Sequence, residues 1–264
     1  MKIDDIKNFH DHQVQEWPLA HKNYLDLFSV RKKQFKVNDL EGWVQYNPGR
    51  ALSTLAKVDR KSIQERRCFL CEENRPPEQH RLELNEDFSL LVNPYPILPY
   101  HFTIPSVRHE MQQFSYATGC RLAKELPGMV VFYNDDGAGA SAPDHLHYQA
   151  VPLENIPLIK LYEENKELEL PFKILDERNL DFRSPVNGYF WTTEESDDVN
   201  FICIPRKKHR PDVFFKEGPL RRAVSPGALD MAGIIVIPYH EDFEAITNED
   251  IKEIYGEVGY SPSF

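Results

Sequence analysis

Long apolar runs, cations and cysteines are all scarce in this sequence. No run of about 18 or more apolar residues occurs in its 264 positions, which excludes a membrane-spanning helix. The first residues, Met1-Lys2-Ile3-Asp4-Asp5, lack the basic-then-apolar pattern of a secretory signal, so the expected location is the cytoplasm. Lys and Arg number 31 against 42 Asp and Glu, a net charge of −11. That balance argues against wholesale binding of nucleic-acid backbone, yet it leaves room for a local cationic pocket taking a small anion. The only cysteines are Cys68, Cys71, Cys120 and Cys203. In a reducing compartment disulfides are not expected, and the close pair is to be tested as a metal site. What is plentiful is proline, at 20 residues, and aromatics. Both suit an irregular α+β fold with long connections, and the length allows one large domain or two small ones.

Along the chain, residues 1 to about 34 read as mostly helical, with Ile3, Ile6 and Phe9 at helical spacing and a break at Trp17-Pro18. His10 and His12 read as part of a surface helix. Val44-Gln45-Tyr46 reads as a strand, and the turn Asn47-Pro48-Gly49-Arg50 after it makes Arg50 a candidate anion contact. Cys68 and Cys71 form a CxxC, whose spacing lets two thiolates reach one metal from a tight turn. The prolines that follow, Pro76 and Pro77, disfavour a thioredoxin-type redox site. No second CxxC exists, so further ligands come from elsewhere: His80 is near in sequence, His109 and His145 further away. Residues 88–92 and 102–105 read as an antiparallel pair around a Pro-rich loop. A helix is expected over 118–126 and a strand over 128–133; 154–169 is charged, with a short helix. Strands follow at 188–192, 201–204 and 233–237, and a helix over 247–258 starts at Thr247-Asn248-Glu249-Asp250.

The most informative stretch is 142–152. Read with period two, Leu146, Tyr148 and Ala150 face a core, and His145, His147 and Gln149 line the opposite face. Two imidazoles and an amide in a row are costly to bury without partners, and they are what phosphate chemistry or a metal asks for. The plainer reading is a polar-faced surface strand. Just upstream, residues 134–141 (Asn-Asp-Asp-Gly-Ala-Gly-Ala-Ser) form a small-residue loop that lets a ligand approach the backbone.

An internal repeat runs through the chain. Ile104-Pro105-x-x-Arg108-His109 parallels Ile204-Pro205-x-x-Lys208-His209, and Ala142-x-Asp144-x6-Val151-Pro152 parallels Ala228-x-Asp230-x6-Ile237-Pro238. In that register Met231, Gly233 and Ile235 replace His145, His147 and Gln149, so the second copy has lost its polar face. The basic cluster Arg206 to Arg210 either faces a ligand across the two copies or is a solvated turn.

His145-Leu146-His147-Tyr148-Gln149 resembles the HxHxQ motif of the transferase branch of the histidine-triad superfamily. That branch includes galactose-1-phosphate uridylyltransferase, diadenosine tetraphosphate phosphorylase and the GDP-hexose phosphorylases. Residues 93–96 and 102–105 are similar to the strand-turn-strand preceding the motif, and the Asn134 loop to the phosphate-binding loop. The stretch 228–245 looks most like the GDP-hexose phosphorylases. The family loop often has Ser three residues before the first His, where this chain has Ala142, with Ser141 one earlier.

The resemblance implies two tandem histidine-triad-like half-domains with antiparallel sheets, the second degenerate. The expected division is an N-terminal helical arm over 1–43, a catalytic half over 44–165 and a second half over 166–264. It implies His147 as nucleophile, forming a covalent nucleotidyl-histidine, and Gln149 as a neutral phosphate donor that favours transfer over hydrolysis. Asn93, Asn134, Gly137, Gly139, Ser141, Arg50 and Lys208 are the implied substrate contacts. Cys68 and Cys71 resemble a structural zinc pair that His109 and His145 would complete by position. The implied activity is nucleotidyl transfer from a nucleoside-diphosphate sugar to phosphate or a sugar phosphate. Alternatives are a dinucleoside polyphosphate phosphorylase or hydrolase, and a non-catalytic zinc-stabilised nucleotide-binding module. No nucleic acid or membrane partner is expected; a homodimer is allowed for.

Overall fold

Alternation of apolar side chains along its strands lets one sheet bury both its faces. The computed structural model describes residues 2–165, 167–177, 184–193 and 196–262. The main sheet comprises β3 (Arg81–Glu83), β4 (Ser89–Val92), β5 (Phe102–Pro105), β6 (Met129–Asn134), β7 (His147–Pro152), β8 (Val186–Thr193) and β9 (Ser196–Pro205). Its order is β3-β4-β5-β7-β6-β8-β9, antiparallel throughout. A smaller sheet joins β1 (Arg31–Val37) to β2 (Leu40–Tyr46) antiparallel, and β2 to β10 (Ile234–Ile237) parallel.

On one face of the main sheet, Val131, Tyr148, Ala150 and Phe190 pack under α1 (Ile3–Glu16), α2 (Pro18–Asp26) and α5 (Tyr116–Glu125). On the other face, Val130, Phe132, Val151 and Ile204 meet the smaller sheet and α9 (Asn248–Val258). Each such side chain fully buried contributes about 1.5–3 kcal/mol. The remaining helices are short: α3 (Ala51–Thr54), α4 (Arg60–Glu65), α6 (Pro157–Glu164), α7 (Ala228–Met231) and α8 (His240–Ala245). No helix among the described residues is long and apolar enough to cross a membrane.

Most expected elements are present with small shifts. Pro18 opens α2 where its missing N–H costs nothing, and Thr247 caps α9 by accepting from Asp250 N–H. Two expectations fail. Helix does not continue to residue 34, because β1 starts at Arg31; its Lys32, Lys33 and Lys36 lie on an edge strand where only Phe35 and Val37 are buried. His10 is not a surface residue: it is buried, its ring 4.6 Å from that of Tyr24 and 4.5 Å from that of Tyr100.

The repeat maps onto strand ends. β5 and β9 both stop at the repeated proline, and the next residue of each makes an isolated bridge, Ser106 with Phe88 and Arg206 with Gly259. The copies then part. β7 stays beside β5, whereas β10, apolar on both faces, pairs with β2. β8 pairs with β6, so strands from both expected halves share one sheet. The expected boundary at 165/166 falls at Lys166, which lies outside the described residues.

Candidate active site

The 142–152 stretch is not a surface strand: β7 lies inside the main sheet and His147 is 4% exposed. Its Nδ1 donates to the His145 carbonyl at 2.8 Å. A carbonyl only accepts, so the proton sits on Nδ1 and Nε2 keeps its lone pair. Burial, with the His145 ring charge adding to it, pushes the imidazole down to about 4. The Gln112 side chain holds the strand here. Its Nε2 donates to the carbonyls of Asn134 (2.7 Å) and His147 (3.0 Å), and its Oε1 accepts His147 N–H at 2.9 Å. It bridges β6 and β7 where their own ladder has ended.

Gln149 is oriented from behind. Ile97 N–H donates to His101 Nδ1 at 3.2 Å, which leaves the proton on Nε2, and Nε2 donates to Gln149 Oε1 at 2.8 Å. The amide oxygen is thus spent and the NH2 is the free end. Burial and the nearby Arg50 charge hold His101 down at about 3, so it stays neutral.

His147 and Gln149 lie in a cleft of about 580 Å3 together with Arg50, Asn93, Tyr95 and Ser141. Arg50 donates to the Tyr95 carbonyl at 2.7 Å, while its buried Nε has no partner. Asn93 spends its oxygen on Tyr95 N–H and one amide proton on Thr103. In the 134–141 loop, Asn134 Oδ1 accepts from Asn187 Nδ2 (3.0 Å) and Ala228 N–H (2.7 Å) and so ties the loop to the second half. Gly139, at φ +98°, passes so close to residues 226–227 that a Cβ would stand 2.5 Å from Gly227 Cα. Gly137 turns the loop against Pro185. Lys208 does not line this cleft; its charge is paired with Asp212 and with Glu257, at 2.8 Å, on the surface. Arg206 is wholly buried, holding Asn187 and the carbonyls of Pro226, Val258, Lys208 and His209.

The four expected metal ligands come together. One ligand atom from each of Cys68, Cys71, His109 and His145 lies within 4.8 Å of every other. Cys68 Sγ is 3.3 Å from His145 Nδ1, and Cys71 Sγ is 3.1 Å from His109 Nδ1. A tetrahedral site with metal–sulfur bonds of about 2.3 Å and metal–nitrogen bonds of about 2.0–2.1 Å separates S from N by roughly 3.6 Å, so the set fits with small adjustments. His145 Nε2 donates to the Ser106 carbonyl at 2.9 Å, which leaves Nδ1 free to ligate. Burial raises the Cys68 thiol, but the His145 ring and the backbone N–H groups of Leu70 and Cys71 together outweigh it and bring it down to about 6. These residues can hold a metal ion.

Two residues that hold His147 and Gln149 in place escape sequence reasoning. Gln112 sits in an irregular segment with no pattern to mark it. His101 carried a weak signal: it stands two residues before Thr103, which lies opposite Gln149 in the β5–β7 register.

A family profile described as "Domain of unknown function (DUF4922)" matches residues 9–152. Among curated proteins no sequence match is found. Solved structures of yeast Ap4A phosphorylase Apa2 share the fold. The complex with Ap4A has a TM-score of 0.56 at 17% identity, covering 95% of this chain and 98% of that one. A structure of Apa2 titled without a ligand has a TM-score of 0.59 at 15% identity over 92% and 96%. The AMP complex has a TM-score of 0.57 at 17% identity over 94% and 97%. At such identities the likeness establishes the fold, the α+β histidine-triad-like plan that the HxHxQ strand implied.

Proposed function

The chain belongs to the DUF4922 family, whose profile spans the segment carrying Cys68, Cys71, His145, His147 and Gln149, and we propose that this segment is a phosphorylase-type nucleotidyltransferase working through a covalent nucleotidyl-His147. The observation that carries the reading is the buried, neutral His147, with Nδ1 tied to its own chain and Nε2 bare in a cleft large enough for a nucleotide.

In the first step Nε2 attacks the α-phosphorus. The N–P bond forms and the phosphoanhydride P–O bond breaks, its electron pair leaving with the departing phosphate. Because Nδ1 keeps its proton on the His145 carbonyl, the nucleotidylated ring is an imidazolium, a good leaving group for the second step. Gln149 donates its amide protons to a non-bridging oxygen, where charge gathers in the transition state. Ser141 and the loop backbone at Gly139 add donors, and Arg50 supplies positive charge; Asn93 lines the nucleoside end.

Zinc is the metal proposed for Cys68, Cys71, His109 and His145. Bound there it supplies structural cross-linking, not reaction chemistry. His145 itself joins the cluster to the nucleophile: its ring faces the thiolates while its carbonyl sets the His147 tautomer.

The donor placed first is a dinucleoside polyphosphate, because the fold neighbours are named as Ap4A phosphorylase. A nucleoside-diphosphate sugar is second, supported by the resemblance of residues 228–245 to the GDP-hexose enzymes. A binding module without turnover does not need a bare Nε2 at the base of its cleft. The test is incubation with α-labelled diadenosine tetraphosphate and with ADP-, GDP- and UDP-hexoses, without acceptor. Acid-labile, base-stable label on the wild type and none on His147→Ala is expected; label on neither protein with any donor, or on both equally, sinks the covalent scheme.

A further inference from the structure

Where α1 and α2 meet β2 and the 97–100 loop, the structure holds a second pocket of about 520 Å3, which shares no lining residue with the His147 cleft. Its volume lies in the range of small-molecule sites. The lining is mostly apolar and includes the rings of Tyr24, Phe28 and Tyr100. Tyr100 is held at φ +53°, a strained conformation for a bulky residue and one that marks ligand clamps more often than plain loops.

Two side chains in this lining carry a buried acceptor with no partner among the described residues. Gln45 is wholly buried; its Nε2 donates to the Ile97 carbonyl at 3.1 Å, which leaves Oε1 bare. His10 is 5% exposed, and its Nδ1 lies 2.9 Å from Asp11 Oδ1, so the proton sits on Nδ1 and Nε2 keeps its lone pair. Burial, outweighing the Asp11 carboxylate, holds His10 below the ordinary histidine value, so Nε2 is unprotonated at neutral pH. Buried polar atoms are nearly always paired, and an unpaired one is costly. Both of these atoms accept, so what completes them is a molecule that donates at two points. Asp11, also in the lining, disfavours an anion, while Lys32 Nζ sits over the Trp43 ring, 4.9 Å from its centre. Both acceptors are closed to solvent, and a ligand reaches them through the side-chain rotamer changes that commonly accompany binding.

We propose that this pocket binds a small planar aromatic molecule with two N–H or O–H donors and no negative charge, its ring against Tyr24 and Tyr100 and its donors on Gln45 Oε1 and His10 Nε2. The same walls hold the imidazole that orients Gln149. Ile97 N–H donates to His101 Nδ1 at 3.2 Å, the Ile97 carbonyl is held by Gln45, and the Tyr24 hydroxyl donates to the His101 carbonyl at 2.9 Å. A molecule seated on Gln45 and Tyr24 therefore fixes the 97–101 loop before a nucleotide arrives, and a preorganised Gln149 binds phosphate more tightly. This consequence rests on the function proposed above; the pocket itself does not.

The test titrates the whole protein calorimetrically with 2-aminobenzimidazole, a planar probe with ring and amino N–H donors. One saturable site in the micromolar to millimolar range is expected, and benzimidazole, which lacks the amino donor, binds about tenfold more weakly. His10→Phe keeps a ring and removes the acceptor; it is expected to weaken the probe about tenfold, with circular dichroism confirming the fold. Should that variant not fold, Leu25→Trp, at an exposed position in the lining, fills the pocket and abolishes binding. Saturating probe is expected to tighten AMP binding about fivefold. No saturable binding, equal affinity for the two probes, folded variants that bind as wild type does, or displacement of the probe by AMP each overturns the pocket. A dimer that Phe28→Ser splits, with no probe bound, gives the pocket to a second copy of the chain and overturns the small-molecule site. Probe binding that leaves AMP affinity unchanged overturns the link to Gln149; no AMP binding at all counts against the proposed function and leaves the pocket standing.

Discussion

At the scale of single residues, backbone partners fix which nitrogen of two imidazoles carries a proton. His147 and His101 are both held as neutral tautomers by backbone partners, one presenting a lone pair and the other an N–H. The consequence is a pH profile unlike that of a free imidazole. An exposed histidine loses its basic form as pH falls through about 6.5, whereas His147 is pushed down to about 4. The rate of His147 nucleotidylation is therefore expected to stay level from pH 8 down to roughly pH 5 and to fall about tenfold for each unit below 4. Single-turnover labelling, with circular dichroism to exclude acid unfolding, checks this; a midpoint near 6.5 refutes the buried neutral imidazole. His147 and Gln149 were legible because spacing alone puts them on one face of a strand. His101 and Gln112 were not, because their roles depend on which backbone atoms lie across from them.

At the scale of elements, β7 is fastened at the end that carries His147. Its first residue is held through Gln112, and His145 ahead of it reaches the Cys68–Cys71 turn. An ion held by Cys68, Cys71, His109 and His145 would staple three separate segments and constrain the turn, the 106–109 strand exit and the start of β7 together. The purified protein is expected to carry about one zinc per chain. Cys68→Ser/Cys71→Ser is expected to lose the metal and about 3 kcal/mol or more of stability. Elemental mass spectrometry and urea unfolding measure the two effects; full metal retention in the double variant removes the site. The CxxC was readable in sequence, but two thiols separated from two histidines by dozens of residues become a ligand set only when the sheet brings them together. β1 shows the reverse failure, since its lysines mask a strand whose buried residues are only Phe35 and Val37.

At the scale of the whole molecule, the two repeat copies do not stand apart. β8 pairs with β6, β10 pairs with β2, and buried Arg206 ties Asn187 to the 226 and 258 backbones. A fragment ending at residue 165 leaves the β6 edge and the β2 edge bare, exposing Val130 and Phe132 on one face and Val131 and Tyr133 on the other. The full chain is expected to unfold in one cooperative transition in urea, and the 1–165 fragment to show none. A cooperatively folding fragment means that the halves are independent domains.

The amino-acid sequence by itself determined the strand periodicities, the polar face of β7, the thiol pair and the repeated strand ends. These are local properties, set by side-chain alternation and spacing along a few residues. Only the tertiary structure decided that the polar face is buried, that His109 and His145 meet the thiols, and that Lys208 turns to the surface while Arg206 is wholly buried. Each of those depends on sheet order and register, which join residues far apart in the chain through contacts that no local pattern encodes.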